Sequence, residues 1–204
     1  MIKLMKSMHN LHRGEKGMTG LETAIILIAF VTVAAVFGYA VLSAGLFSAE
    51  RGKETIYAGL NEAKSNMELS GSVIGLGDAA NPPTYLDKIK FTVKNAIAGN
   101  PIDLTPNSGG TAGTNKCVIS ITTDGDYQND IAWTTAFIGT DNGNNLLETG
   151  EQCEITIDVH GLSLAGGDLG ANKVFSIQVK PALGSTITIQ RQLPPAIEPV
   201  MDLH

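Results

Sequence analysis

Gly17 and Met18 are the residues whose types best fit a chemical event. A small residue before a peptide bond lets the backbone enter a peptidase site. Gly17 offers that at the end of a basic leader carrying Lys3, Lys6, Arg13 and Lys16. Cutting there would expose a new ammonium on Met18. Glu22, the fifth residue of the chain so formed, stands at the edge of an apolar run with no charged residue from Thr23 to Ala49. A carboxylate in that place is costly without a partner, unless it rests at the headgroup boundary. An ordinary secretory signal loses its apolar stretch because the cut follows it. Here the cut precedes the stretch, so the mature chain keeps an oily helix as a membrane anchor or a polymer core.

Other reactive or ligating candidates are weaker. Asp141, Asn142, Asn144, Asn145, Glu148 and Glu151 crowd a short Gly-containing stretch, and oxygen-rich loops can hold Ca²⁺. Asp141, Asn145, Glu148 and Glu151 would be the ligands. Gly143 and Leu146 stand where an EF-hand needs an oxygen donor and Gly, which favours a solvated turn. No cofactor is expected, with Ca²⁺ as the one weak exception. Cys117 and Cys153 could form a disulfide if their part of the chain is extracellular; the alternative is two small buried thiols. His9 and His12 lie in the leader, His160 closes a strand and His204 is terminal. With no P-loop, no Gly-x-Ser-x-Gly and no His-Glu-x-x-His, an enzyme is not expected.

Three segments must position these residues. Residues 1–17 are the leader, residues 18–70 a long helix, and residues 71–204 an outer β domain. The run to about residue 49 exceeds the ~30 Å hydrocarbon core, and the preceding basic residues predict an inside N-terminus. Ile56, Leu60 and Met67 continue helical spacing, with Ser70-Gly71 as the stop. After Gly71 the period becomes two. Ile89, Phe91 and Val93 alternate with polar residues, as do Ile119 and Ile121, the set Cys153, Ile155, Ile157 and Val159, the set Phe175, Ile177 and Val179, and Ile187 with Ile189. Residues 131–138, with Trp133 as a core residue, form another strand. Gly-rich turns between short strands indicate an antiparallel sandwich or barrel. The expected fold class is α+β: a long N-terminal hydrophobic helix followed by an antiparallel, immunoglobulin-like β-sandwich. The prolines of Leu193–Pro199 keep that segment out of a central strand. A formal net charge of -6 on 204 residues, with a basic leader, argues against nucleic-acid binding.

The junction Gly17-Met18-Thr19-Gly20-Leu21-Glu22, the apolar segment to Phe47 and the ending Arg191–Leu203 resemble archaellins, the archaeal flagellins related to type IV pilins. The resemblance implies a class III leader cut by a prepilin-type peptidase. It also implies a precursor in the cytoplasmic membrane, an assembly platform and motor as partners, and a helical homopolymer or mixed filament outside the cell. It further implies that Glu22 pairs with the Met18 ammonium of the same or a neighbouring copy. Ala34 and Gly38, Ala40 and Ala44, and Gly45 and Ala49 are small residues four apart, which let helices approach. The chain lacks the Asn-x-Ser/Thr triplet at which archaellins are often glycosylated. Thr105, Ser108, Thr111 and Thr114 could carry O-linked sugar, although a bare loop is favoured. The expected function is a structural subunit of the swimming filament. The alternatives are an adhesive type IV pilin and a membrane-anchored binding module.

Overall fold

The computed structural model describes residues 20–80, 82–107, 115–162 and 164–203. Helix α1, Gly20–Lys64, is 45 residues long, or roughly 68 Å at ~1.5 Å per residue. An apolar medium offers backbone groups no water, so a helix is the conformation that satisfies them within one segment. Its polar side chains follow the same rule. Thr23 and Thr32 donate their hydroxyls to the carbonyls of Gly20 and Ala29 at 3.0 and 2.9 Å. Glu22 lies in the first turn, where a negative charge meets the positive end of the helix dipole. Beyond the apolar run, the Arg51 guanidinium lies 5.3 Å from the centre of the Phe47 ring and 3.7 Å from Glu54.

The helix stops at Lys64, short of the expected end at Ser70-Gly71. The Ser65 N–H donates to the Glu62 carbonyl at 3.2 Å and its hydroxyl to the Asn61 carbonyl at 2.9 Å, which closes the last turn. Met67, whose spacing suggested more helix, is instead buried in strand β1, Met67–Leu69, opposite Asn95. Pairing plus burial of a large side chain outweighs another exposed helical turn.

Strand β2 is Val73–Gly77 and β3 is Leu86–Asn95. β1 and β2 run along the same β3, paired with its later and earlier parts. After β4, Ile102–Asp103, come β5, Val118–Thr123, and β6, Asp126–Gln128. β7, Thr134–Ile138, β8, Leu146–Leu147, and β9, Gln152–Asp158, follow. A 3-10 turn, His160–Leu162, leads towards β10, Val174–Lys180, then β11, Ile187–Gln192, and β12, Val200–Leu203. One antiparallel sheet has the order β12-β2-β3-β9-β7, with β1 also on β3; the second is β11-β10-β5-β6; β4 and β8 form a small third ladder.

The inward residues follow the period of two read from the sequence. Ile89, Phe91 and Val93 sit opposite Ile157, Ile155 and Cys153, all buried. Ile177 lies between Ile121 and Ile189 in the second sheet. Both sheets contribute to one core that also holds Trp133, so the arrangement is a sandwich. The Leu193–Pro199 segment forms no strand, as expected, but its Leu193 and Ile197 are buried. Beyond it the chain adds β12 as an edge strand, pinned when Arg191 Nε donates to the Leu203 carbonyl at 2.9 Å. The chain comprises two compact units divided between Thr55 and Ile56.

Candidate assembly surface

Helix α1 contains no buried residue. Leu21, Ile25, Ile26, Phe30, Val36, Phe37 and Leu46 are each more than half exposed. Covering one such side chain is worth about 1.5–3 kcal/mol, and an apolar patch this long does not stay in water. It is long and apolar enough to cross a membrane. Ala34, Gly38, Ala40, Ala44 and Gly45 all lie within it. A Cβ added at Gly38 or Gly45 would meet nothing within 4 Å. The fold of one chain therefore does not require glycine at either place, so any requirement must come from a neighbour. Gly17 and Met18 lie outside the described residues.

A feature the sequence did not announce lies where α1 enters the β domain. The Asn66 carbonyl accepts the Ala96 N–H at 2.9 Å, and Asn66 Oδ1 accepts the Ser185 N–H at 2.8 Å. One residue thus holds two loops. Gly99 presses on Lys64 and Gly184 on Ser65 so closely that a Cβ on either would land on the carbonyl oxygen. Asn100-Pro101 and Leu183-Gly184-Ser185 read in the sequence only as turns.

The remaining candidates take structural places. Cys117 and Cys153 stand as two free, buried thiols where the sequence left a disulfide open. Burial, above all, pushes each thiol up to about 12, so they stay protonated and unreactive at neutral pH. In the acidic stretch, Asp141 Oδ1 accepts the Gly143 N–H at 2.8 Å and Glu151 Oε2 the Glu148 N–H at 2.9 Å. Asn142 Nδ2 donates to Glu148 Oε2 at 3.2 Å, and the Asn145 carbonyl accepts the Leu104 N–H at 2.8 Å. These oxygens fasten the turn. Among the described residues no group of three or more His, Cys, Asp or Glu is placed to hold a metal ion.

His160 stacks on Tyr85, with centroids 4.9 Å apart, and its Nδ1 lies 3.0 Å from Asp168 Oδ1. The hydrogen bond to Asp168 raises the imidazole above its ordinary value against an opposing desolvation, and the charges of Asp168, Asp87 and Asp158 add to the rise. A raised folded value means that this contribution to stability is full below about pH 6.5 and fades as pH rises through the folded value. We expect His160→Gln to remove that part of the pH dependence of thermal unfolding. Proton NMR of the imidazole should give a titration midpoint above 6.5.

A helix built to be covered, carried on a domain with its own core, defines a pilin-like assembly subunit. The model of the archaeal-type flagellin family matches residues 17–191. Probable flagellin 1 of Archaeoglobus fulgidus is 38% identical, over 94% of this chain and 96% of that protein. Probable flagellin 1 of Aeropyrum pernix is 30% identical, over 91% and 95%. Among solved structures, the archaeal flagellum of Methanospirillum hungatei strain JF1 superposes with a TM-score of 0.65 at 27% identity, covering 91% of this chain and 99% of that one. The chain belongs to the archaeal-type flagellin family.

Proposed function

We propose that this chain is the repeating structural subunit of an archaeal flagellar filament used for swimming. The observation that carries the reading is the wholly unburied apolar surface of α1, in a chain similar over nearly its whole length to a flagellar filament subunit. Lipid covers that surface before assembly, and the same helix of other copies covers it afterwards. Since lipid tails are as apolar as the helix, the transfer gains little hydrophobic free energy. Close packing at Ala34, Gly38, Ala40, Ala44 and Gly45 supplies the preference. The subunit's work is mechanical. Torque comes from a motor, and insertion from a membrane assembly platform. Negative-stain microscopy of the purified mature chain tests the reading: helical filaments are expected, and dispersed monomers would contradict it.

Maturation is a cut between Gly17 and Met18 by a prepilin-type peptidase. The family match beginning at Gly17 supports this boundary. Mass spectrometry of native protein should give a chain starting at Met18; one starting at Met1 would refute it. The new ammonium pairs with Glu22, so the uncut precursor in the membrane lacks a cation that assembly needs. A charge-assisted hydrogen bond is worth about 1.5–3 kcal/mol. Glu22→Gln should therefore slow polymerisation by roughly tenfold, and unchanged kinetics would remove the pairing.

A further inference from the structure

The β domain and the end of α1 expose a second apolar surface outside the charge-free run. Ile56, Tyr57 and Leu60 lie on one side of the last turns of α1 and are exposed, Tyr57 by 64%. Ile97 and Leu183 are exposed in the two loops that Asn66 and the close-set glycines hold against the helix exit, Leu183 by 59%. Ile138 ends β7 opposite Gln152, which pairs with Lys94 near the end of β3. That places it at the same end of the sandwich as Ile97 and Leu183. Five of these large apolar side chains lie on the last turns of α1 and on the two loops held at its exit, with Ile138 at the same end of the sandwich and Glu62 and Lys64 of opposite sign on the helix.

We propose that this collar is a second subunit-to-subunit contact, occupied by another copy of this chain. The inference rests on the filament reading and adds to it an interface beyond the helix core. Its occupant follows from continuity. Ile56, Tyr57 and Leu60 are on the same unbroken helix as the apolar run, and rods packed side by side do not lose their neighbours at Ala49. An apolar centre with a rim of mixed charge is also the composition of a protein interface. The collar lies beyond the part of the helix that lipid can cover, since ~20 residues fill the hydrocarbon core.

The test uses the mature full-length chain. Leu183→Cys and Ile97→Cys are made separately. Tyr127→Cys serves as a control on β6, which pairs with the end of β5 away from Val118 and Lys180. A maleimide then labels detergent-dispersed subunits and filaments. Cys117 and Cys153 are buried and stay silent. Labelling at positions 183 and 97 should be at least tenfold slower in filaments, and unchanged at 127. Equal rates in the two states at 183 and 97 would overturn the contact. The double variant Ile97→Asp with Leu183→Asp should raise the critical concentration for assembly by about tenfold or block assembly, with Trp133 fluorescence still reporting a folded sandwich. An unaltered critical concentration would also overturn it. No filaments from the unmodified chain would overturn the filament reading itself, and this inference with it.

Discussion

Val36→Asp is expected to abolish filament formation and leave the β domain folded. Val36 is 70% exposed in the single chain and sits in the middle of the run without charge. In a stack of helices a carboxylate there has no cation and no water. Placing a charge at the centre of a membrane helix costs about 2.5–3.5 kcal/mol on insertion scales. About 3 kcal/mol per subunit raises the critical concentration by more than a hundredfold. Trp133, buried in the sandwich core, reports folding independently: its emission should match wild type while electron microscopy finds no filaments. Val36→Ile, which keeps the surface apolar, should assemble. Loss of Trp133 burial in the Val36→Asp chain would instead mean that the helix run supports the fold of the sandwich, against the account.

The second large effect lies at the helix exit. Gly184→Val should lower the stability of the β domain by about 3–5 kcal/mol, combining overpacking with backbone strain. The backbone at Gly184 has φ +101°, and an added Cβ would collide with the Ser65 carbonyl and lie 3.0 Å from Asn66 Oδ1. A β-branched residue suffers on both counts. Thermal unfolding followed by Trp133 fluorescence should show Tm lower by roughly 10 °C or more. Gly143→Ala separates the two causes. Gly143 also has positive φ, +81°, but a Cβ there meets nothing within 4 Å, so only strain of about 1–2 kcal/mol remains. Equal losses for the two variants would show that the contact with Ser65 contributes nothing.

Periodicity made most of the fold legible. The alternation at Ile89, Phe91 and Val93, and at Cys153, Ile155 and Ile157, names core residues directly, because a strand with one wet face must alternate. The charge-free run named the helix. Three things stayed hidden. Met67 fits helical spacing from Leu60 as well as it fits a strand, and only pairing with Asn95 decides between them. β12 lies behind three prolines and presents only Met201 and Leu203 inward, too short a pattern to stand out. The clamp at Asn66 joins residues more than a hundred positions apart, and local sequence carries no record of such a contact. Glycine at 99 is explained by proximity, and at 184 by proximity together with a positive φ. Glu22 was legible as an anomaly, an acid at the edge of an apolar run.

On the proposed function, the apolar rod from Gly20 to Ala49 leaves lipid to be buried among identical rods. High-resolution electron cryomicroscopy of native surface filaments containing this chain tests it most directly. Density is expected for these helices packed around the filament axis, each beginning at Met18, with the β-sandwiches at larger radius. Filaments whose axis is lined by sandwiches, or native protein found only as single copies in the membrane, would contradict it.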